Sequence, residues 1–120
     1  MKILQNILTS ASSGAYTWSN IIDTRSADNG FFNLEWDITT GSTVGSAGYG
    51  VTFAWAGCST STGTFTRSTT LIKEGGTSTS GPASDGKDFI GFGPEIFPFI
   101  KVGAKATGTT TALTAHLIMH

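Results

Sequence analysis

The segment Gly30–Thr39 (GFFNLEWDIT) constrains the fold of this chain more than any other stretch, because apolar and polar residues alternate along it. The apolar set is Phe32, Leu34, Trp36 and Ile38. Successive side chains of a β-strand point to opposite faces, so this alternation predicts a strand with one apolar face. Such a face needs a second layer to cover it. The segment therefore predicts a core centred on Trp36, with Trp55 and Leu117 as its neighbours.

The composition supports a β-rich chain and argues against some functions. Charged residues are 12% of the 120 residues, about half the usual share, and uncharged polar residues replace them. The net charge is −1 and the seven Lys and Arg residues are scattered, which predicts no direct nucleic-acid binding. The single cysteine, Cys58, has no partner for an internal disulfide and is predicted to be a small residue at a strand end.

Further segments of strand character follow one another along the chain, separated by turn residues. They are Tyr16–Asp23, Tyr49–Ala56, Thr64–Lys73, Asp88–Phe92, Ile100–Ala106 and Thr110–Met119. The longest loops between them are predicted at Thr40–Gly48 and Glu74–Lys87. About seven or eight short strands without a helix predict an all-β fold, a two-sheet antiparallel β-sandwich or jelly roll.

Residues 1–15 are predicted to form an extended N-terminal arm or an edge strand, ahead of a single β-sandwich domain of residues 16–120. The apolar residues of this segment are Ile3, Leu4, Ile7 and Leu8. Their i,i+4 spacing fits a helix, but one and a half turns would be too short to be stable. Extended, the segment would either pair with the chain's own sheet or reach a neighbouring subunit.

The same segment bears on targeting. Gln5 and Asn6 interrupt its apolar run, so the sequence predicts no secretory signal peptide. No apolar run approaches the length of a membrane span, so no membrane contact is predicted.

Catalytic and metal sites are weakly indicated. The only histidines, His116 and His120, are four residues apart, which on a strand is about 13 Å and too far to share an ion. Glu35 and Asp37 share the polar face of a strand, where solvated side chains are more common than the paired acids of a glycosidase. No motif of a nucleophilic enzyme is present. We therefore predict no catalytic residue, no metal and no cofactor.

Acidic residues next to turns were also considered as calcium ligands. They are Asp85 and Asp88, and Asp23 with Asp28 and Asn29. Neither spacing matches a calcium-binding loop, and Asp-Gly and Asn-Gly pairs are typical of turns.

The aromatic residues divide into two groups. Trp18, Trp36 and Trp55 fall on the apolar faces of their strands and are predicted to lie in the core. Phe31, Phe97 and Phe99 fall on the other face, where exposed rings would mark a contact surface. Phe97 and Phe99, on either side of Pro98, are the most favourable contact point.

Two parts of the chain together resemble a known family. The first is a strand ending in Asp23, followed by the turn TRSAD, the strand FFNLEWDIT and a Gly/Thr loop. The second is the closing hairpin PFIKVGAKATGTTTALTAHLIM. Over Ile21–Met119 this arrangement resembles small β-sandwich structural proteins of tailed bacteriophages, several of which decorate or cement the capsid. The chain lacks the strand followed by Asp-Gly and an aromatic that is common in the broader group, and has Ser59–Thr62 at that place.

The resemblance implies a non-enzymatic virion protein that binds and stabilises a phage capsid shell. Its partners would be the major capsid protein or another virion protein and further copies of itself, as a trimer or dimer, and it would be made in the host cytoplasm. A tail- or fibre-associated β-sandwich protein and a carbohydrate-binding module are the alternatives. The residues expected to contact the shell or a neighbouring subunit are Ile3, Leu4, Ile7, Leu8, Phe97, Pro98 and Phe99.

Overall fold

The computed structural model describes residues 1–38, 50–76, 87–94, 97–107 and 111–120. Within these ranges the chain forms strands and no helix, which confirms the predicted all-β class, and it holds no helix able to cross a membrane. The strands are β1 (Lys2–Ser13), β2 (Thr17–Trp18), β3 (Ile22–Asp23), β4 (Phe32–Ile38), β5 (Gly50–Cys58), β6 (Thr66–Arg67), β7 (Lys73–Gly76), β8 (Lys87–Phe92), β9 (Phe99–Thr107) and β10 (Thr111–Met119). The predicted loop Thr40–Gly48 and most of the predicted loop Glu74–Lys87 lie outside the described residues.

The strands form one curled, mixed sheet shaped like half a barrel. Its order is β6-β5-β9-β1-β10-β4-β8, with β2 and β3 also paired to β9 and β7 also paired to β5. The pairs are antiparallel except for a short parallel contact between β1 and β9. The single curled sheet does not confirm the two-sheet sandwich or jelly roll that the sequence predicts.

β1 joins the two halves of the sheet. Its residues Lys2–Ala11 pair with β10, and Ser12 and Ser13 then pair with β9. Most of residues 1–15 are therefore paired with β10, and only Ser12 and Ser13 of β1 are paired with β9.

The pairing of β1 with β10 is irregular between Leu4 and Leu8. Leu4 pairs with Leu117 and Leu8 with Ala115, so four residues of β1 advance while β10 advances by two. Asn6, inside this bulge, has a φ of 52°, a left-handed conformation that Asn tolerates better than most residues. Leu8 is buried and Leu4 packs against the core, as their even spacing along a strand requires.

β4 alternates as predicted and supplies the centre of the core. All four of its apolar residues are buried. The Trp36 ring lies 4.6 Å from the ring of Phe53 on β5, although β9, β1 and β10 separate these two strands in the sheet. The expected partner Trp55 packs instead against Phe97, at 5.8 Å. The curl of the sheet thus closes around the Trp36–Phe53 contact.

The two C-terminal strands also follow their predicted alternation. Their buried residues are Ile100, Val102, Ala104 and Ala106 on β9, and Leu113, Ala115, Leu117 and Met119 on β10. Because β9 pairs with β5 on one side and with β1, β2 and β3 on the other, it is the most connected strand of its half of the sheet.

Two predicted strands were wrong in their extent. Tyr16–Asp23 is divided into β2 and β3, because hydrogen bonds of Ser19 replace regular ladder bonds between them. The Ser19 amide donates to the Val102 carbonyl at 2.8 Å, and Ser19 Oγ accepts from the Val102 amide at 3.0 Å. Thr64–Lys73 is divided into β6 and the start of β7.

Truncating Trp36 should destabilise the protein strongly. We expect Trp36→Ala to lower the free energy of unfolding by about 3–5 kcal/mol, because it empties the space against Phe53. Trp36→Phe should cost only about 1–2 kcal/mol, because a ring remains and the removed indole N–H has no hydrogen-bond partner among the described residues. Urea unfolding followed by far-UV circular dichroism measures both. An equal loss from Phe89→Ala, at a side chain 60% exposed, would contradict this account of the core.

Candidate functional site

The polar residues considered for catalysis lie on the outer face of β4 and β10. Glu35 is in register with His116, and Asp37 with Thr114. His116 Nδ1 accepts a hydrogen bond from the Asn6 amide at 3.0 Å, so the neutral ring carries its proton on Nε2. No group of three or more His, Cys, Asp or Glu residues able to hold a metal ion occurs in the described part of the chain. Of the residues considered for calcium, Asp85 lies outside that part.

Asp23 is engaged by a cation. The Arg25 side chain donates through Nε to Asp23 Oδ1 at 3.0 Å and through a terminal nitrogen to Oδ2 at 2.7 Å. The hydrogen bond from this side chain, with a second from the Arg25 amide, lowers the pKa of Asp23 to about 2. The Arg25 guanidinium also lies 5.0 Å from the centre of the Phe99 ring. The pair therefore fixes the turn after β3 above one of the predicted contact residues.

The other predicted contact residues of this region are partly covered. Phe97 is 37% exposed, and its ring packs against Trp55. Pro98 is half-buried, and its carbonyl accepts a hydrogen bond from the Thr24 amide at 3.0 Å. Of the three residues, only Phe97 presents an exposed ring.

Phe31, also predicted to point away from the core, is 49% exposed. Its ring lies 6.2 Å from that of His120, and a Cβ on Gly91 would come within 2.5 Å of it. The ring thus lies against the backbone of the edge strand β8.

The predicted contact residues of β1 are largely brought together. Ile3, Leu4 and Ile7 line a shallow groove of about 340 Å³ together with Ile21 and Ile22. The rest of its lining is polar and consists of Gln5, Asn6, Ser19 and Asn20. Ile3 is 53% and Ile21 43% exposed. We call this feature the apolar groove. The fourth predicted residue, Leu8, is 3% exposed and belongs to the core, so it contributes nothing to this surface.

A second surface was missed by the sequence reasoning. It consists of Tyr16, Trp18, Phe65, Arg67, Lys101 and Lys105, on the outer face of the sheet around β9. Arg67 and Lys105 lie 5.6 and 5.0 Å from the centre of the Tyr16 ring. Lys101 lies 4.8 Å from that of Phe65. We call this feature the cationic–aromatic face.

Trp18 lies on this outer face and not in the core, so its predicted placement was wrong. It is half-buried, pairs with Gly103 of β9 and packs beside Tyr16 with ring centres 5.3 Å apart. A Cβ on Gly103 would come within 2.6–3.0 Å of three ring carbons, so the indole lies directly over this glycine. Ala54 of β5 pairs with Gly103 on the other side, and the small residues Ala54 and Ala56 are buried as well.

A groove of about 260 Å³ opens on the cationic–aromatic face. Its described lining is Trp18, Ala56, Gly63, Phe65, Arg67 and Lys101. The register explains how distant segments meet there: Ala56 of β5 pairs with Arg67 of β6 on one side and with Lys101 of β9 on the other. The alternation of Lys101, Gly103 and Lys105 is the signal in the sequence that marks this face.

Cys58 lies at the end of β5 and is buried, as predicted for a small strand-end residue. A hydrogen bond from the Thr60 amide is the largest of several that lower the pKa of its thiol. Gly63 covers the sulfur, since a Cβ there would come within 2.6 Å of Sγ.

No family model matches this chain, and a comparison with curated proteins finds no relative.

Removing the Arg25 guanidinium should raise the pKa of Asp23. In Arg25→Gln we expect it to rise from about 2 towards the ordinary value of 3.8. The pKa of Asp23 is lowered in the folded wild-type protein, so the ion pair stabilises the fold at pH values above the ordinary pKa of 3.8. This stabilisation is lost as the pH falls towards 2. The Asp23 carboxyl ¹³C shift, followed against pH, measures the change. Arg67→Gln is the matched control, and an unchanged midpoint in Arg25→Gln would contradict the assignment.

A side chain at Gly103 should displace Trp18. We expect Gly103→Ala to move one of the three indole N–H signals in a ¹H–¹⁵N spectrum and to cost about 1–3 kcal/mol through overpacking. Gly93→Ala is the control, because a Cβ there meets only the Gly30 carbonyl oxygen at 3.7 Å. Unmoved indole signals in Gly103→Ala would show that the ring does not lie over this glycine.

Proposed function

We propose that the protein is a non-enzymatic structural protein of a tailed-phage virion that binds and stabilises the capsid shell. The observation that supports this proposal best is the apolar groove. Three of the seven residues expected to make the contact lie around it, and Ile3 and Ile21 expose about half of their surface. Exposed, contiguous apolar side chains are typical of surfaces that bind other proteins.

The low charge of the chain supports the same proposal. Only 12% of its residues are charged, so copies of the protein repel one another weakly. Many identical contacts on a symmetric shell act together, so each contact can be modest in area. A trimer or dimer in contact with the major capsid protein fits these properties, and association with tail or fibre proteins would use the same groove.

We further propose that the curled sheet is a two-sheet sandwich whose halves share β1. The support is that β1 leaves β10 after Ala11 and joins β9 at Ser12. The Trp36–Phe53 contact then packs one half against the other. An experimental structure that measures the angle between β4 and β5 tests this proposal.

Shell binding can be tested with substitutions in the apolar groove. Deleting Met1–Ala15 would remove β1 with its buried residues Leu8 and Ala11, so point substitutions are the cleaner test. We expect Ile3→Ser combined with Ile21→Ser to reduce self-association in light scattering, and co-sedimentation with shells of the accompanying major capsid protein, by about tenfold or more. Both side chains are exposed, so the fold should be retained.

Phe89→Ser is the matched control, because it removes an equally exposed apolar side chain from a different strand, β8. It should leave assembly unchanged. If the double variant assembles at the wild-type level, the apolar groove is not the contact surface. A wild-type protein that is monomeric and does not sediment with shells would contradict the proposal itself.

A specific observation favours carbohydrate binding as a second function. Trp36 and Trp55 are buried, but Trp18 lies on the outer surface, beside a groove that Phe65 also lines. Exposed aromatic rings at a groove are the feature expected of a carbohydrate-binding module. Binding of any saccharide that shifts the Trp18 indole signal would support this function, and silence across a glycan array would contradict it.

A further inference from the structure

The groove of the cationic–aromatic face combines two kinds of lining. Trp18 and Phe65 provide aromatic rings, and Arg67 and Lys101 provide positive charge, with Ala56 as a small residue between them. None of the described lining residues is acidic. From this combination we infer that the groove binds an acidic saccharide, with its carboxylate held by Arg67 and Lys101. The inference rests on the proposed carbohydrate binding and is independent of shell binding.

The aromatic part of the groove is held in a fixed orientation. One face of the Trp18 indole lies against Gly103, and the side chain is half-buried. Tyr16 packs beside it with the two ring planes at 31°. The face of an aromatic ring is electron-rich, so it attracts the polarised C–H groups of a sugar ring. Because the indole does not have to be ordered on binding, little conformational entropy is lost.

The cations lie next to rings and not in a separate patch. Lys101 lies over Phe65, and Arg67 lies over Tyr16 and donates one hydrogen bond to the Ser68 carbonyl at 3.3 Å. A guanidinium has five N–H donors, so further donors serve a carboxylate bidentately. Each cation therefore lies where it can bind the carboxylate of a sugar whose ring packs on the aromatic side chains.

Size and charge favour a saccharide over a nucleic acid. The groove volume of about 260 Å³ lies below the range typical of drug-sized ligands, which suits a single sugar ring of a longer chain. Proteins that bind single-stranded nucleic acid follow several consecutive phosphates with a longer positive groove. Here the face has Arg67, Lys101 and Lys105 in a chain of net charge −1. A ligand with a carboxylate on a ring uses both kinds of lining.

The test is calorimetric titration of the full chain with tetrasaccharides of galacturonate, mannuronate and N-acetylneuraminate. Maltotetraose is the neutral probe and a short oligothymidylate is the nucleic-acid probe. We expect at least one acidic saccharide to bind, with affinity that falls as salt rises, and maltotetraose to bind about tenfold or more weakly.

Variants assign the binding to the groove. We expect Arg67→Gln and Lys101→Gln each to lower the affinity for the acidic saccharide by about tenfold. Lys87→Gln, an exposed cation of β8, is the matched control and should leave binding unchanged. Gly103→Ala tests the aromatic part without removing a charge, and it should weaken neutral and acidic saccharides alike.

The outcomes distinguish carbohydrate binding in general from a preference for acidic saccharides. Equal affinity for maltotetraose would keep the carbohydrate function and overturn the preference for acids. Oligothymidylate that binds more tightly than every saccharide, with the same loss in Arg67→Gln, would overturn the saccharide in favour of nucleic acid. No binding of any saccharide, or an equal loss in Lys87→Gln, would overturn the site.

Discussion

The packing of Trp36 against Phe53 is the contact on which the rest of the structure depends. The two rings belong to strands that three other strands separate along the sheet, so they meet only because the sheet curls. β1 permits the curl, because it pairs first with β10 and then with β9. The buried apolar residues of β4 and β10 face the inside of this curl, whereas aromatic and cationic side chains lie on the outer face around β9.

The parts of the fold that follow from local alternation could be predicted from the sequence. β4 and β10 bury the residues that their period of two predicts, because a regular strand has one side chain per face every second residue. β1 could not be predicted in this way, since its apolar residues do not alternate with polar ones and it contains a bulge at Asn6. A bulge depends on pairing with the partner strand, which the sequence of one segment alone does not reveal.

The candidate binding surfaces show the same limit. Trp18 looks like a core residue in the sequence, because its own strand pattern does not reveal that Gly103 lies beneath it. Likewise Arg67 and Lys101 are far apart in the chain and become neighbours only through their pairing with Ala56. Long-range register decides both placements, so composition and motifs could not find this face.

The two proposed surfaces share a structural support. Trp18 contributes to the cationic–aromatic face and Ile21 to the apolar groove, and only Ser19 and Asn20 separate them in the chain. Two hydrogen bonds join Ser19 to Val102 of β9, so the short segment between β2 and β3 is anchored to the sheet. A displacement of this segment would therefore move Trp18 and Ile21 together.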